Sequence, residues 1–439
     1  MHDDSMNAAR VLATGWPRRL GLRAWTRFDQ AALRVCDRLL GPSITGRVEL
    51  TLPSGASAML GDPASDQEAD LSLCSYRAFW RTLRRGPIGF ADAYVDGEIE
   101  SDDLVSLFRF FVDNRMRLHH AGRGRFQVHA EDRSFHRTRA NTREGSRANI
   151  AAHYDLGNDF YRLWLDPSLT YSSGLYTSPD QTLEDAQSAK YETVLTALDL
   201  ATGQHVLEIG CGWGAFACRA AERGAHVTGL TLSREQQSAA REVASARGLD
   251  GRINLRLEDY RDVDGVYDRI VSIEMIEAVG EENWPRYFAT LRDRLAPGGT
   301  IVLQAITIDE ALFDNYRSRA DFIQRYIFPG GLLPTHSRIV QHARAAGLDV
   351  ERLHAFGPSY ARTLVAWRQR FQANWPAIRA LGFDERFRRM WNYYLDYCQA
   401  GFEHGTVDVG IYRLRPIGAS TKPASNTPGA NREATWPTI

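Results

Sequence analysis

Three glycines at alternate positions follow an apolar run near the middle of the chain, in the segment VLEIGCGWG at 206–214. Glycine lets the backbone approach a ligand closely, and this spacing at a strand-to-helix junction is typical of nucleoside-binding loops. Glu208 precedes the first glycine, and the loop offers no open helix start for a pyrophosphate. The pattern therefore favours S-adenosylmethionine over a dinucleotide, with tight packing alone as a further alternative. The glycines are Gly210, Gly212 and Gly214.

Polar residues at the ends of the next two predicted strands fit the same ligand. Thr231 and Leu232 end one strand, where the ribose of a nucleoside would lie, and Gln236 follows on the next helix. Asp259 could accept a hydrogen bond from an adenine amine, and Tyr260 could pack on the ring. The alternative is that Gln236 and Asp259 are solvated residues at helix starts.

The pattern from about residue 204 onward predicts the sheet that positions these loops. Short apolar runs alternate with amphipathic helical segments, which is typical of a parallel sheet with helices on both faces. We therefore expect an α/β fold with a seven-stranded, Rossmann-like sheet. The predicted strands are 205–209, 226–231, 253–257, 269–273, 300–306, 349–356 and 407–415.

The first 115 residues follow a different pattern, which predicts a small α+β domain. An amphipathic helix is expected over 18–40, a β-hairpin over 46–60, and helices over 76–84 and 104–118. The expected organisation is an N-terminal domain at 1–115, a basic linker at 116–147, a catalytic domain at 148–415 and a disordered tail at 416–439.

Charge is unevenly distributed, although the formal net charge is only -1. Between 114 and 147 nine arginines stand against three acidic residues, a balance of +6. Such a segment suits contact with an anionic membrane surface, although a plain flexible linker is the alternative. The amphipathic helix at 18–40 could lie at the same interface or pack on its own domain. Nothing else in the chain supports nucleic-acid binding.

The remaining composition indicates a cytoplasmic protein, and we expect it to associate peripherally with the inner face of the membrane only if its substrate lies there. No apolar run reaches the ~18 residues that a spanning helix needs. The five cysteines are an odd number without a CxxC pair, which argues against a disulfide framework and suggests no metal site. The sequence leaves the oligomeric state open, and a homodimer is compatible with it.

Several segments resemble those of cyclopropane-fatty-acyl-phospholipid synthases. The resemblance implies a seven-stranded S-adenosylmethionine methyltransferase fold with a smaller N-terminal domain. It also implies transfer of the methyl carbon of S-adenosylmethionine to a cis double bond of an unsaturated phospholipid acyl chain, forming a cyclopropane fatty acid. The segments are HYDLGNDF at 153–160, TYSSG at 170–174, the glycine loop, DRIVSIEMIEAVG at 268–280, YIFPGG at 326–331 and YARTL at 360–364.

The resemblance also implies a bicarbonate ion as the catalytic base. That family is understood to hold the ion with a glutamate, a tyrosine, a histidine and the neighbourhood of a cysteine. Glu277 and Tyr360 match the first two, whereas Ser173 replaces the cysteine and Gln304 replaces the histidine. Serine and glutamine can still donate hydrogen bonds to an anion, so both remain candidate catalytic residues.

The same resemblance places Tyr171 and Ser172 beside S-adenosylmethionine. Glu274 lies three residues before Glu277 and could line the pocket, contact the sulfonium or have a structural role. A hydrophobic channel for the acyl chain is expected, with the packed core as the alternative location of the same side chains. The channel candidates are Phe313, Tyr316, Phe322, Tyr326, Ile327 and Phe328.

Elementary chemistry explains why such a site needs both a base and a dry pocket. An alkene is a poor nucleophile, so it attacks only a strongly electrophilic carbon, and the product is a carbocation. Ring closure then requires a base to remove a proton from the added methyl while water is excluded. Loss of a different proton would give a methyl- or methylene-branched chain, which is the nearest alternative. A non-catalytic membrane-binding protein is a more distant one.

Overall fold

The computed structural model of the protein describes residues 26–40, 44–121, 141–154 and 156–418. These residues form two sheets, one in an N-terminal unit and one in a larger C-terminal unit. Among them, no helix is both long enough and apolar enough to cross a bilayer. The expected tail falls mostly on residues 419–439, outside the described residues.

The larger sheet has seven strands in the order β10-β11-β9-β8-β5-β6-β7. The five strands from β9 to β7 are parallel, whereas β11 runs antiparallel between β9 and β10. Parallel strands covered on both faces are apolar nearly throughout, and β5 follows this rule with four consecutive buried residues. The strands are β5 His205–Ile209, β6 His226–Thr231, β7 Ile253–Leu257, β8 Tyr267–Ile273, β9 Leu295–Ile308, β10 Leu348–Ala355 and β11 Val407–Pro416.

The smaller sheet has four strands in the order β2-β1-β3-β4. β1 and β2 form the predicted antiparallel hairpin, and β3 adds to the other edge of β1 in parallel. The alternating residues Val48 and Leu50 of β1 are buried, so one face of this sheet belongs to the core. The strands are β1 Arg47–Thr51, β2 Ser57–Gly61, β3 Glu68–Leu73 and β4 Ile99–Glu100.

Helices cover the larger sheet and flank the smaller one. Many begin at a side-chain cap, for example Ser233, whose hydroxyl accepts the backbone N–H of Gln236. The helices are α1 Arg27–Leu40, α2 Tyr76–Val95, α3 Leu104–Asp113, α4 Arg115–Ala121, α5 Arg143–Tyr154, α6 Asn158–Arg162, α7 Leu183–Leu198, α8 Ala215–Glu222, α9 Arg234–Ala246, α10 Trp284–Arg294, α11 Glu310–Arg317, α12 His336–Ala345, α13 Gly357–Ala373, α14 Trp375–Ala380 and α15 Glu385–Glu403.

The predicted fold class is confirmed, and all seven predicted strands of the larger sheet are present. In the N-terminal unit the prediction was less complete. It missed β3, whose pairing with β1 is parallel and therefore depends on contacts distant in sequence. The helix predicted over 104–118 is interrupted at Asn114, whose side-chain amide donates to the carbonyls of Thr45 and Phe110. Of the helix predicted over 18–40, only 26–40 lies within the described residues.

The two units pack together through α15. The ring of Tyr393 lies 4.9 Å from that of Phe108 and 5.6 Å from that of Tyr94, measured between centroids. Arg389 donates to the backbone carbonyls of Tyr94 and Ile99, which ties α15 to the N-terminal unit. The interface is therefore an aromatic core with satisfied polar groups, which favours a fixed relation between the units.

The segment before the expected catalytic domain is attached to the larger unit. Asn141 donates from Nδ2 to the carbonyl of Gly330 over 2.7 Å, and Arg261 donates to the carbonyl of Asn141 over 2.9 Å. The boundary expected at 148 falls inside α5. The division of the chain into domains stays a prediction, with 141 as the better starting point for the catalytic part.

Candidate active site

The glycine loop joins β5 to α8 and borders a cavity of about 1150 Å³. Gly210 and Gly212 line this cavity with φ angles of +83° and +52°, in the left-handed region that favours glycine. A Cβ added to Gly212 would meet no atom within 4 Å, so a side chain there would project into open space. Gly214 has a different function, because its Cβ would lie 3.1 Å from Ala240 of α9. It permits close helix packing and does not line the cavity.

Glu208 and the end of β6 complete one side of the site. Glu208, Thr231, Leu232 and Gln236, the residues predicted to bind the cofactor on this side, all line the cavity. Burial raises the pKa of Glu208 well above its usual range. Among the described residues no group donates to Glu208 Oε2. A buried carboxylate oxygen without a partner beside a glycine loop fits the hydroxyl groups of a ribose, so this side suits S-adenosylmethionine.

Asp259 is placed differently from the prediction. Its two carboxylate oxygens accept from Arg261 Nε and Nη2 over 2.8 and 2.6 Å, and the ion pair is buried. Although burial acts to raise it, these bonds hold the pKa of Asp259 below its usual value. The flanking residues Glu258 and Tyr260 line the cavity and Asp259 does not. This arrangement argues against a hydrogen bond from the adenine amine to Asp259 and leaves Tyr260 as the predicted ring contact.

The loop at 170–174 forms the opposite wall, where Tyr171 and Ser172 line the cavity. The fully buried Lys190 of α7 donates to Ser172 Oγ over 2.7 Å. Burial lowers the pKa of Lys190 to about 7, and the nearby carboxylate of Glu274 opposes that shift. Sequence reasoning missed Lys190, although it is one of only two lysines in the chain. Its buried position holds the loop against α7.

Three predicted site residues converge on Glu274. Its Oε1 accepts from the backbone N–H of Ser173 over 2.9 Å and from Gln304 Nε2 over 2.7 Å. Its Oε2 accepts from the hydroxyl of Tyr360 over 2.7 Å. The hydroxyl of Ser173 points elsewhere and donates to the carbonyl of Gly174. The replacement of a cysteine by Ser173 therefore matters less than expected, because the donor is the backbone.

Glu277 lies apart from these donors. It sits on a 3₁₀ turn at Ile276–Ala278, where its Oε1 accepts the backbone N–H of Ile306 over 2.5 Å. Burial and the charge of Glu274 raise the pKa of Glu277 to about 8. Its Oε2 has no partner among the described residues and lines the cavity with Tyr360. The prediction grouped Glu277 with Tyr360, Ser173 and Gln304. In the structure those three residues instead donate hydrogen bonds to Glu274.

This arrangement does not fit the expected bicarbonate ion. The donors that the resemblance assigns to the ion are already engaged by a carboxylate of the chain itself. A second anion among these donors would also lie beside the carboxyl group of Glu274, and like charges repel strongly at low dielectric. Among the described residues, no group of three or more His, Cys, Asp or Glu side chains could hold a metal ion.

The cavity continues from the carboxylates into the N-terminal unit. Of the six predicted channel residues, Tyr316 and Phe328 line it. The other four are packed elsewhere: Phe313 against Trp284, Phe322 against Tyr393, Tyr326 by a hydrogen bond to Asp92, and Ile327 in the core. Contributions from the N-terminal sheet and α2 were not predicted, since they depend on how the two units pack. They include Val48, Leu50, Leu71, Phe79, Leu83 and Phe90.

Comparisons with known proteins agree with this geometry. A family model described as mycolic acid cyclopropane synthetase matches residues 141–411. The tuberculostearic acid methyltransferase UfaA1 of Mycobacterium tuberculosis is 41% identical over 407 residues, which are 88% of this chain and 91% of that protein. The cyclopropane-fatty-acyl-phospholipid synthase of Escherichia coli K12 is 38% identical over 341 residues, which are 76% of this chain and 84% of that protein.

A solved structure is similar to this chain as well. The mycolic acid cyclopropane synthase CmaA1, crystallised with SAH and CTAB, superimposes with a TM-score of 0.57 and 35% identity. The match covers 61% of this chain and 97% of the crystallised one.

We predict that Gly212→Val lowers the affinity for S-adenosylmethionine by on the order of tenfold or more, because the side chain would fill the open loop. Gly248→Val is a matched control. Gly248 also has a left-handed φ of +68° and open space around its Cβ, but it is exposed in a turn after α9. Isothermal titration calorimetry should show loss of binding in Gly212→Val alone. Equal losses in both variants would contradict the assignment of the loop.

We also predict a pH-dependent contribution of Glu277 to stability. Its folded-state pKa of about 8 lies above the usual 4.5, so between these values the folded protein binds one proton more than the unfolded chain. Stability therefore falls as pH rises through this range, and Glu277→Gln should reduce that fall by at least about 1 kcal/mol between pH 5 and 8. Urea unfolding measures the effect, and the exposed Glu282→Gln should keep the wild-type slope. An unchanged slope in Glu277→Gln would refute the shift.

Proposed function

This chain belongs to the mycolic acid cyclopropane synthetase family, whose members use S-adenosylmethionine to transfer a methyl carbon to lipid acyl chains, and on that premise we propose its substrate and product. The substrate is an unsaturated acyl chain of a phospholipid, and the product is a cyclopropane ring at its cis double bond. The observation that carries this proposal is the single apolar cavity joining the glycine loop, the buried carboxylates and the N-terminal unit. Because the chain belongs to this family of enzymes, the alternative of a non-catalytic membrane-binding protein is rejected.

The walls of the cavity suit a reaction through a carbocation. When bound, S-adenosylmethionine supplies an electrophilic methyl carbon. The rings of Tyr171, Phe328 and Tyr394 border the cavity, and the hydroxyls of Tyr171 and Tyr394 lie 2.9 Å apart. An aromatic face stabilises a desolvated cation by about 2 kcal/mol, and the apolar surroundings exclude water that would trap it.

The carboxyl groups next to these rings can accept the proton that the reaction releases. Glu274 is held in one orientation by its three donors, and Glu277 is largely protonated near neutral pH because its pKa is about 8. Burial raises the pKa of Glu274 as well. Two carboxyl groups with different hydrogen-bond partners therefore border the cavity.

A second product is favoured by one comparison. The relative that shares 41% identity across most of both chains is a methyltransferase by name and not a cyclopropane synthase. The same cavity and the same cation would give a methyl- or methylene-branched acyl chain if the base removed a different proton. Both products have the same mass, so mass spectrometry alone does not separate them.

The product spectrum is the experiment that tests the function. Purified protein, S-adenosylmethionine with a labelled methyl carbon and vesicles of an unsaturated phospholipid should give labelled acyl chains. Ring closure predicts proton resonances upfield of ordinary methylene protons in the NMR spectrum. Olefinic or doublet methyl resonances would instead identify the branched product, and the absence of label in the lipid would overturn the proposal as a whole.

We infer that the enzyme reaches its substrate through an aromatic surface on α2. Tyr76, Trp80 and Arg84 are spaced at i, i+4 and i+8 on one face of α2, and the ring of Phe28 in α1 lies 5.7 Å from that of Tyr76, tilted by 41°. Phe28 is 68% exposed and Trp80 is 56% exposed. The adjacent face of α2, including Phe79 and Leu83, lines the cavity. The aromatic surface therefore adjoins the acyl channel.

Charge on this surface suits an anionic bilayer. Arg84 is exposed without a carboxylate partner among the described residues, and Arg77, which is 74% exposed, pairs with Glu98 over 3.4 Å. Each arginine near an anionic leaflet contributes about 1 kcal/mol. Most of the expected basic linker lies outside the described residues, and Arg143 at its end pairs with Asp262. Action at the inner face of the membrane and a homodimeric state stay predictions.

We predict that Trp80→Ser reduces turnover on anionic phospholipid vesicles by about tenfold, since it removes an aromatic anchor worth about 1–2 kcal/mol. Turnover on the same lipid dispersed in detergent should change little, because the active site is intact. Leu381→Ser is the matched control, since Leu381 is 47% exposed on the other unit. Vesicle sedimentation should show weaker binding for Trp80→Ser alone. Normal vesicle binding by that variant would contradict the docking surface.

A further inference from the structure

We propose that Glu274 is the catalytic base of this enzyme and that it takes the place of a bound bicarbonate ion. The inference rests on the proposed function, because it assigns the proton-removing group of that reaction. It departs from the expectation that the base is an ion from solution. Four observations about Glu274 support it.

The first observation is the set of donors around the carboxylate. The backbone N–H of Ser173, the amide of Gln304 and the hydroxyl of Tyr360 all donate to Glu274 at 2.7–2.9 Å. They come from the loop at 170–174, from β9 and from α13, so three separate elements converge on one carboxylate. These are the donors that the sequence resemblance assigns to a separate base. A carboxylate of the chain thus occupies their hydrogen-bonding capacity.

The second observation is the backbone of Glu274. Its φ angle is +48°, in the left-handed region that residues with a Cβ rarely adopt. Its backbone N–H donates to the carbonyl of Gln304 over 2.8 Å, which fixes this conformation. Strained backbone at a buried polar residue is characteristic of functional positions. A glycine at this position would not be strained, so the glutamate side chain is present at the cost of backbone strain.

The third observation is the position of Glu274 relative to the substrate. Glu274 lines the same cavity as Gly210, Gly212 and Tyr171, which border the expected S-adenosylmethionine site. The acyl chain enters that cavity from the N-terminal unit in the proposed function. The carboxylate therefore faces the region where the double bond and the transferred methyl meet.

The fourth observation concerns charge. Burial raises the pKa of Glu274 above its usual value, whereas its three hydrogen bonds and the charge of Lys190 act in the opposite direction and favour the ionised carboxylate. Burial and the charge of Glu274 raise the pKa of Glu277 to about 8. An additional anion would lie beside Glu274, whose three donors are already engaged. The resident carboxylate is the better base for this cavity.

The proton is removed after the methyl carbon has been transferred. After the methyl carbon has joined one alkene carbon, the neighbouring carbon carries a positive charge. Glu274 Oε removes one proton from the added methyl, and the electron pair of that C–H bond forms the third bond of the ring. The acyl chain becomes neutral and Glu274 becomes a carboxylic acid, which returns its proton to solvent before the next turnover.

The test compares the dependence on bicarbonate in the wild type and in Glu274→Gly. In buffer freed of carbon dioxide the wild type should keep its turnover, because it needs no external base. Glu274→Gly should lose about 10²–10⁴-fold, the usual contribution of a general base. It leaves three donors unoccupied, so added bicarbonate should restore turnover by at least about tenfold in this variant alone. The exposed Glu282→Gly should show neither effect.

Binding and product measurements separate a catalytic role from a structural one. Glu274→Gly and the isosteric Glu274→Gln should both bind S-adenosylmethionine within about threefold of the wild type by calorimetry, and Glu274→Gln should be inactive without rescue. If Glu274→Gly fails to fold, Glu274→Gln still tests the base. NMR of the rescued product should show the same ring resonances.

Two results would overturn the inference. One is loss of wild-type turnover when bicarbonate is removed, and the other is full turnover by Glu274→Gln in bicarbonate-free buffer. The inference would be supported if the wild type keeps its turnover without bicarbonate and the Glu274 variants are inactive while they bind S-adenosylmethionine normally. This holds whether or not added bicarbonate restores turnover in Glu274→Gly. If the wild type labels no acyl chain, with or without bicarbonate, the result counts against the proposed function and not against the choice of base.

Discussion

A carboxylate far from bulk water must be matched by hydrogen-bond donors, and Glu274 has three within 3 Å. Supplying them requires that the loop at 170–174, the end of β9 and the first turns of α13 meet at one point. The arrangement of the larger unit around the ends of its central strands follows from this requirement. Glu277 has fewer donors: its second oxygen lacks a partner among the described residues, and burial together with the charge of Glu274 raises its pKa to about 8.

The same cavity also explains why the enzyme has two units. The carboxylates and the glycine loop lie in the larger unit, but much of the apolar wall beyond them comes from the N-terminal sheet and from α2. Arg389 and Tyr393 of α15 fix the two units together, so the wall stays closed around an apolar ligand. A cation formed inside is thereby separated from water, which is the condition that the proposed chemistry imposes.

Much of the larger unit could be predicted because its signals are local. Apolar strands that run into glycine or polar loops predicted the sheet, and Glu208, Gly210 and Gly212 lie where that pattern implied. The N-terminal unit was predicted less well, since β3 pairs in parallel with β1 across a long connection. Asp259 was predicted beside the cavity, but Arg261 two residues later draws it into an ion pair.

The sequence by itself determined the fold class, the glycine loop between β5 and α8 and several of the residues that line the cavity. It determined these because strand periodicity, glycine spacing and short motifs act over a few residues. Only the tertiary structure decided which of two nearby glutamates accepts hydrogen bonds from Ser173, Gln304 and Tyr360, and which side chains line the cavity. Those outcomes depend on the left-handed backbone at Glu274 and on the packing of α15 against the N-terminal unit, which join residues far apart in the chain.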